Sequence, residues 1–305
     1  MGLLKIDLNH LLNFQEALRK GPGEQGTAVF VNKDEEELSK KIFEENKHNG
    51  VVSDKIARNR AIQDTRPAEC RHRKYLVELP SVSVVIPFHN EVLSTLTRTI
   101  HSIFTRSQPE LLKEVILVND HSEKEWTYKP LEDYIKDHFD VTKVRVLVMP
   151  YRSGLMWARL AGARAARGDV IVFMDCHTEA IVNWLPPLIE PIAENYRICV
   201  CPFIDVINAE NYAYEGIKNG TRGTFDWQFY YQFLPLRPVD LAKPESEPVQ
   251  TPVMMGCKNQ FTETWLVRFT LRKIDFCFLG VFAISAKYFW ELGGYDTGLD
   301  VWGGK

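Results

Sequence analysis

Short apolar runs alternate with amphipathic segments along the chain from Ser81 onward. Runs rich in valine and isoleucine, with the length of β-strands, occur at 82–88, 114–119, 144–149, 170–174 and 198–206. Between them, apolar residues at steps of three and four predict helices at 92–104, 131–139, 155–166 and 184–192. Gly168 stands where a glycine commonly ends the third helix. Because the strands are apolar on both faces and alternate with helices, the pattern predicts an α/β protein with a doubly wound, mostly parallel sheet.

Residues 1–80 do not follow this alternation. They are rich in charge and poorly periodic, with a turn at Gly21-Pro22-Gly23-Glu24. The polar segment from Asp34 to His48 can form a helix. The pattern predicts that residues 1–80 form an N-terminal extension packed on the domain made by residues 81–305.

The composition limits the classes of function. The chain of 305 residues is 45% apolar and 25% charged, which is typical of a globular protein. Its net charge of −3 gives no reason to expect a nucleic-acid partner. No run reaches the ~18 apolar residues of a membrane span, and the first residues lack the apolar core of a secretory signal. The six cysteines form no CxxC pair, which argues against a cysteine zinc site, and Cys199 and Cys201 are predicted to be buried as small apolar residues.

Polar side chains follow three of the predicted strands at their carboxyl ends. They occupy segments 88–91, 119–122 and 175–179, and in a doubly wound sheet the ligand binds beyond that edge. Residues two apart in an extended backbone point to one side, so Asp175 and His177 are predicted to converge on one ion, with Cys176 turned away. A carboxylate with an imidazole suits Mn²⁺ better than Ca²⁺. A surface turn is the alternative for Asp-x-His, but its position after a buried strand favours a metal site.

Three further residues are candidates for binding a nucleotide sugar. Asp120 follows a strand end, where a short acceptor can reach a ribose hydroxyl or a base edge; a turn or helix-capping role is the alternative. Arg152 precedes a Ser-Gly pair and a helix, and it can present its guanidinium to a diphosphate or a uracil, or be a solvated surface charge. Trp302, beside two glycines, can line a sugar pocket or pack in the core.

Five segments fall in an order that resembles the catalytic domain of the polypeptide N-acetylgalactosaminyltransferases. They are SVVIPFHNE at 83–91, VILVND at 115–120, RSGL at 152–155, FMDCHTE at 173–179 and DVWGG at 300–304. The leader is similar too, with GPGE at 21–24, SDKIARNR at 53–60 and DTR at 64–66. The resemblance covers residues 21–256 and 281–304.

This resemblance implies a GT-A fold and transfer of N-acetylgalactosamine (GalNAc) from UDP-GalNAc to serine and threonine hydroxyls of proteins. It implies retention of the anomeric configuration, Mn²⁺ as the cofactor and the Golgi as the place of action. By position, Asp175 and His177 match the metal ligands, Asp120 and Arg152 match contacts to UDP, and Trp302 matches an aromatic residue of the donor pocket. Further candidates close to the site are Phe88 and His89, as contacts to substrate, and Glu91 and Glu179, without an assigned role.

The chain departs from the family pattern in three ways. Segment 257–280 interrupts a Met-x-Gly-Gly stretch that should run directly into the apolar strand at 281–284, and its lack of a clean period predicts a poorly ordered excursion. Lys305 stands where the family has a glutamate near the reacting carbon, so no catalytic residue is assigned. The family pattern continues beyond Lys305 with a further histidine ligand, acceptor loops, a lectin domain and a disulfide partner for Cys70. These parts, and a membrane anchor, are expected to be absent from this chain.

Two interpretations of these departures stay open. Codons for Cys257-Lys258 and for Gly304-Lys305 can each contain GTAAG, a typical intron start, so segment 257–280 is interpreted as a translated intron, with a genuine insertion as the alternative. The chain as written is therefore predicted to transfer no sugar while still binding UDP. The alternative functions are another GT-A transferase with a different UDP-sugar, and a non-enzymatic UDP-binding fragment from a mis-spliced gene or an incorrect gene model.

Overall fold

A computed structural model describes residues 4–8, 14–216, 221–228, 231–250, 263–274 and 281–296. Trp302 and Lys305, together with the ends of segment 257–280, lie outside the described residues. No helix in the described ranges is both long and apolar enough to cross a membrane.

The five strands and four helices that the sequence pattern predicts from Ser81 onward are present, together with elements that it does not predict. Over the described residues the strands are β1 (Lys5–Asp7), β2 (Lys74–Leu76), β3 (Val82–Phe88), β4 (Leu112–Asn119), β5 (Val144–Val148), β6 (Val170–Phe173), β7 (Thr178–Ala180), β8 (Ile198–Ile207), β9 (Tyr214–Glu215), β10 (Thr221–Phe225), β11 (Tyr231–Pro235), β12 (Val249–Gln250), β13 (Glu263–Ile274) and β14 (Phe282–Ser285). The helices are α1 (Phe14–Ala17), α2 (Glu36–Asn46), α3 (Gly50–Lys55), α4 (Leu93–Arg106), α5 (Lys129–His138), α6 (Leu155–Ala165), α7 (Leu185–Glu194), α8 (Pro238–Leu241) and α9 (Ala286–Glu291).

The predicted mostly parallel sheet is confirmed. Its strand order is β12-β13-β8-β14-β6-β3-β4-β5 across the described residues. Strands β3, β4, β5 and β6 are parallel neighbours. β14 runs antiparallel between β6 and β8, and β12 runs antiparallel to β13. The parallel strands bring their carboxyl ends to one edge, which is where the polar segments lie.

Alternate residues of the strands fill two separate cores, one on each face of the sheet. Val84 and Ile86 of β3 pack in the core that α4, α5 and α7 cover. Val85 lies between them in sequence and packs in the opposite core, under α6 and α9. Cys199 and Cys201 are buried in that second core, as predicted. Helices on both faces make the fold doubly wound.

Gly168 does not end a helix by adopting a left-handed conformation, so that part of the prediction is wrong. Helix α6 ends at Ala165, and Ala166 is already extended, with φ −64 and ψ 138. A Cβ on Gly168 would lie 2.5 Å from the backbone nitrogen of Ser83. A glycine is required here because the chain crosses β3 at close range.

The segment that interrupts the family pattern also differs from its prediction. Residues 263–274 form strand β13, which pairs in parallel with β8 and antiparallel with β12 and β7. A sheet edge offers unpaired backbone donors and acceptors that an added strand can satisfy whatever its side-chain period. The expectation of an irregular excursion is therefore wrong for the described part of this segment.

Candidate functional site

The site lies at the carboxyl edge of the sheet, where β3, β4 and β6 end side by side. Backbone hydrogen bonds join the residues that follow these strands, since the amide of Asp120 donates to the carbonyl of Phe88 (2.9 Å). The amide of Met174 donates in the same way to the carbonyl of Val85 (3.0 Å). The three polar segments that the sequence singles out are therefore neighbours in space.

Asp120 and Arg152 are in direct contact. Arg152 forms an ion pair with Oδ2 of Asp120. The same carboxylate accepts hydrogen bonds from the amides of Ser153 and Gly154, both at 2.8 Å. Gly154 has φ +87, which favours glycine, and it leads into α6. Asp120 is buried while 45% of the Arg152 side chain is exposed, so the buried carboxylate fixes a loop that presents a guanidinium to solvent.

Phe88 and His89 occupy different environments. Phe88 is buried and packs in the core on the α4 face of the sheet. The ring of His89 is half-buried, with Nδ1 2.9 Å from the carbonyl oxygen of Asp120 and Nε2 3.1 Å from the side-chain amide of Asn90. His89 thus lies beside the Asp120 loop, whereas Phe88 supports it from the core; contact of either residue with substrate stays a prediction.

Asp175 and His177 follow β6, but they do not lie on an extended backbone. β6 ends at Phe173, and Cys176 and His177 form a turn before β7. The turn is held by Thr178, whose hydroxyl donates to the carbonyl of Asp175 (2.8 Å). The rule that residues two apart share one side therefore does not apply. The structure corrects the expectation that Cys176 is turned away, because its Sγ lies 3.7 Å from Nδ1 of His177.

The carboxylate of Asp175 faces a buried arginine. Nη2 of Arg159, on α6, lies 3.2 Å from Oδ1 of Asp175. The guanidinium of Arg159 also lies over the ring of Phe173, 6.0 Å from its centroid. Arg159 therefore places a fixed positive charge beside the acid that is predicted to bind the metal. Sequence spacing gives no sign of this contact.

Glu91 is the centre of the hydrogen bonds around His177. Its Oε2 is 3.1 Å from Nδ1 of His177 and 3.2 Å from Sγ of Cys176. Its Oε1 is 2.8 Å from Nε2 of His48 and accepts from the amide of Val92 (2.7 Å). Burial alone would raise the pKa of Glu91, but the hydrogen bonds from His177 and His48 outweigh it and hold the pKa well below its usual range. Glu91 is therefore a carboxylate that accepts hydrogen bonds.

The thiol of Cys176 is a weaker acid than an ordinary cysteine thiol. Burial and the negative charge of Glu91 raise the pKa of its thiol well above the usual range. The side chains of Glu91, Cys176 and His177 lie close enough together to share one ion. A protonated thiol is a poor ligand for Mn²⁺, whereas carboxylate and imidazole groups are suitable ones. Among the described residues, Asp175 is not part of this group, so its convergence with His177 on one ion stays a prediction. A carboxylate and an imidazole are nevertheless ligand types that suit Mn²⁺, with Glu91 as the hydrogen-bond acceptor of the histidine.

Glu179, which the sequence leaves without a role, is directed away from this group. Its carboxylate forms two hydrogen bonds with Arg60 of the N-terminal extension, at 2.8 and 3.0 Å. Both side chains are almost fully buried. Arg60 also donates to the carbonyl of Tyr212 (3.1 Å). Glu179 therefore joins the extension to the sheet.

The chain is similar to known proteins over nearly all of its length. The family model described as glycosyl transferase family 2 matches residues 83–265. The chain is 47% identical over 292 residues to N-acetylgalactosaminyltransferase 6 of Drosophila melanogaster, a match that covers 95% of this chain and 40% of that protein. It is 43% identical over 292 residues to polypeptide N-acetylgalactosaminyltransferase 10 of Homo sapiens, with 95% and 44% covered. It is also similar to a crystal structure of GalNAc-T7 with UDP, GalNAc and Mn²⁺, at a TM-score of 0.80 and 35% identity, over 93% of this chain and 50% of that chain. The chain thus spans less than half the length of these two curated relatives.

Proposed function

The chain belongs to glycosyl transferase family 2, and we propose that the intact product of its gene transfers GalNAc from UDP-GalNAc to serine and threonine hydroxyls of proteins, whereas the chain as written binds UDP without transferring sugar. In this reaction the bond between the anomeric carbon and UDP breaks, and a bond from that carbon to the acceptor oxygen forms with retention of configuration. The hydroxyl proton leaves, and UDP is the second product. The names of the curated relatives and the ligands of the GalNAc-T7 structure support this donor.

The observation that carries the proposal is the position of two pairs of residues at one edge of the sheet. Asp120, after β4, and Arg152, in the loop before α6, form the first pair. The second pair is Asp175, which contacts Arg159, and His177, which contacts Glu91, both after β6. A nucleoside diphosphate needs a polar contact for the nucleoside and a positive charge for the phosphates, and a parallel sheet binds both beyond its carboxyl edge.

The residues of this chain would have distinct tasks. Asp175 and His177 would hold Mn²⁺, which when bound neutralises the negative charge that builds on the departing UDP. Asp120 orders the loop from Arg152 to Gly154 through its three contacts. Arg152 would then offer its exposed guanidinium to the diphosphate or the base. Trp302 is proposed to border the sugar, as the resemblance implies.

The same resemblance supports a place of action in the Golgi and protein acceptors rich in serine and threonine. A tagged form of the gene product should coincide with a Golgi marker in fluorescence microscopy. Staining confined to another compartment would contradict this location.

A competition experiment tests the donor. The full chain, with Mn²⁺ and a fluorescent UDP probe, is titrated with UDP-GalNAc and with UDP-N-acetylglucosamine, which differ only in configuration at one sugar carbon. UDP-GalNAc should displace the probe at the lower concentration. A preference for UDP-N-acetylglucosamine would make the chain a transferase of a different sugar. Mass spectrometry of a serine- and threonine-rich peptide in the same mixture separates transfer from binding without transfer.

A further inference from the structure

A chain of buried hydrogen bonds runs from His177 into the N-terminal extension. His177 contacts Glu91, and Glu91 contacts His48, which lies between α2 and α3. Nδ1 of His48 is 2.8 Å from the hydroxyl of Tyr212. His48 is 2% exposed and Tyr212 is fully buried. Neither residue belongs to the strand ends on which the proposed site is built.

The direction of each hydrogen bond follows from the carboxylate. An ionised carboxylate only accepts, so Nε2 of His48 and Nδ1 of His177 must both donate to Glu91. The other ring nitrogen of His48, Nδ1, faces the phenol of Tyr212, which can donate to it. Burial raises the pKa of Tyr212 to about 12, which keeps this phenol protonated. An imidazole that donates to Glu91 through Nδ1 of His177 can offer the lone pair of Nε2 to a metal.

The backbone around His48 is fixed on both sides. Lys47 has φ +62 and ends α2, with its amide donating to the carbonyl of Phe43 (2.8 Å). Asn49 caps α3 through its side chain, which accepts from the amide of Val52 (3.1 Å). The amide of Asn49 also donates to the carbonyl of Ala209 (2.8 Å), in the loop after β8. His48 therefore has little freedom to turn away from Glu91.

We propose that His48 is a positioning residue that acts through Glu91 to hold His177 in the tautomer with the proton on Nδ1, directing Nε2 to the metal. The relation to Mn²⁺ rests on the proposed function. A carboxylate that orients a ligating histidine is a frequent partner of metal sites, and its removal weakens metal binding by about 10- to 100-fold. Here the extension supplies a second histidine that orients the carboxylate in turn.

The test compares the full chain with His48→Leu and His48→Gln. Leucine fills the space of the ring without a donor, whereas the amide of glutamine can still donate to Glu91. The matched control is Ser107→Ala, which removes the buried hydrogen bond from Trp184 (2.9 Å) at the other end of α4, about 20 Å from Glu91 by helix length. Three quantities are measured: the protonated ring nitrogen of His177 by ¹⁵N NMR without metal, the Mn²⁺ affinity by electron paramagnetic resonance, and the midpoint of thermal unfolding. The NMR signals of His177 are assigned by their loss in His177→Gln.

If His48 positions His177 through Glu91, the unaltered chain should carry a proton on Nδ1 of His177, and His48→Leu should show a mixture of tautomers. Mn²⁺ affinity should fall about 10- to 100-fold in His48→Leu and stay close to the unaltered value in His48→Gln. Ser107→Ala should lower the unfolding midpoint without changing the tautomer or the affinity. If His48→Leu does not fold, Tyr212→Phe, which removes the hydroxyl at Nδ1 of His48 together with its contact to Thr95 (3.1 Å), should shift the tautomer in the same direction.

Two results would overturn the proposal that His48 positions His177 through Glu91. One is a proton on Nε2 of His177 in the unaltered chain, and the other is an unchanged tautomer in the His48→Leu and Tyr212→Phe proteins. A failure of the unaltered chain to bind Mn²⁺ would instead overturn the proposed metal site. The NMR measurement needs no metal, so it tests the role of His48 independently of Mn²⁺ binding.

Discussion

Asp120 meets two requirements with one carboxylate. Its two oxygens accept from the amides of Ser153 and Gly154, and one of them also pairs with Arg152. A loop whose amides converge on a buried acid is ordered before any ligand arrives, which reduces the entropy lost on binding. The residue that the resemblance assigns to UDP contact is therefore also the anchor of the loop that carries Arg152.

We expect Asp120→Asn to lower both stability and UDP affinity. Asparagine keeps one acceptor oxygen but turns its NH₂ group toward a buried amide donor, which should cost about 1–3 kcal/mol in the free energy of unfolding. UDP affinity, measured by calorimetry, should fall about 10-fold or more, because each 1.4 kcal/mol is a factor of ten. Arg152→Gln is the control, since it leaves both amide hydrogen bonds to Asp120 in place; it should weaken UDP binding and lower the urea midpoint by less than Asp120→Asn does. An Asp120→Asn protein with the original midpoint would contradict the anchoring role.

The Gly168→Ala substitution tests whether the chain at Gly168 passes as close to the backbone of β3 as the structure shows. The added methyl would meet backbone atoms of Ser83 and Val82 at 2.5 and 2.8 Å, and backbone atoms have little room to move aside. Overpacking of this kind should lower the free energy of unfolding by about 1–3 kcal/mol. In Gly216→Ala, the control, the methyl meets only the side chain of Thr65, at 3.3 Å or more. Equal urea midpoints for the two variants would show that the crossing is looser than the structure indicates.

For single residues, the sequence identifies the positions of candidate site residues better than it identifies the contacts between their side chains. Asp120 and Arg152 are predicted separately, and the structure brings them together. The predicted side-by-side projection of Asp175 and His177 rests on an extended backbone that ends at Phe173. Arg159 and His48 come from a helix and from the extension, and contacts across such distances leave no local periodic signal.

Among the elements, the extension is joined to the sheet by a buried ion pair. Arg60 and Glu179 are 119 residues apart, and their side chains are 0% and 4% exposed. Arg98 reinforces this junction, since its guanidinium donates to the carbonyl of Ser53 (2.6 Å). A buried arginine needs such partners because an unpaired charge is costly in the interior.

A double-mutant cycle on Arg60→Met and Glu179→Met measures this junction. Each single change leaves one buried charge without its partner and should lower the free energy of unfolding by about 3–5 kcal/mol. The double variant removes both charges together, so its loss should be clearly smaller than the sum of the single losses. Urea unfolding followed by tryptophan fluorescence gives the three values. Strictly additive losses would mean that the two side chains do not depend on each other.

His101 lies where α4 contacts α5, and its altered pKa predicts that the stability of the protein depends on pH. Burial, with smaller effects of the charges on His138 and Arg58, lowers the pKa of His101 to about 4. The unfolded chain binds this proton below about pH 6.5, whereas the folded chain binds it only near pH 4. The unfolded state therefore holds more protons in this window, and the free energy of unfolding falls as the pH drops from about 6.5 to 4.

His101→Gln should flatten this slope between about pH 6.5 and 5. Glutamine does not titrate but can still accept from the hydroxyl of Tyr134, which lies 2.9 Å from Nε2 of His101. Urea unfolding at several pH values gives the slope, and His72→Gln, at an exposed position, controls for the loss of a histidine. A His101→Gln protein with the original slope would exclude His101 as its source.

The bounds of the strands and helices are what the sequence predicts best. β3 matches its predicted bounds, and α6 ends one residue before its prediction, because apolar periodicity reports burial in a doubly wound fold directly. Strand β13 is the exception. Its pairing with β8 and β12 depends on backbone groups at a sheet edge, and side-chain periodicity carries no information about them.

For the molecule as a whole, the proposed site places two ligands on two neighbouring parts of the fold. The loop before α6 carries Arg152, the proposed contact for UDP, and the segment after β6 carries Asp175 and His177, the proposed metal ligands. If Asp175 holds a metal close to the diphosphate, the positive charge of the metal would favour the binding of UDP, and UDP would favour the binding of the metal. Such coupling is reciprocal, so each ligand must raise the affinity for the other by the same factor.

We therefore expect Mn²⁺ and UDP together to raise the unfolding midpoint of the full chain by more than the sum of their separate effects. A ligand at 100 times its dissociation constant stabilises the folded state by about 2.7 kcal/mol, which corresponds to a rise on the order of 5 °C. Excess chelator should remove the cooperative part, and Ca²⁺ should not replace Mn²⁺, because the site contains an imidazole. Asp175→Asn should keep the small effect of UDP alone and lose the cooperative part, whereas Arg152→Gln should weaken the effect of UDP alone. Additive shifts in the unaltered chain, or a full cooperative shift in Asp175→Asn, would separate the metal from the nucleotide and contradict a shared site.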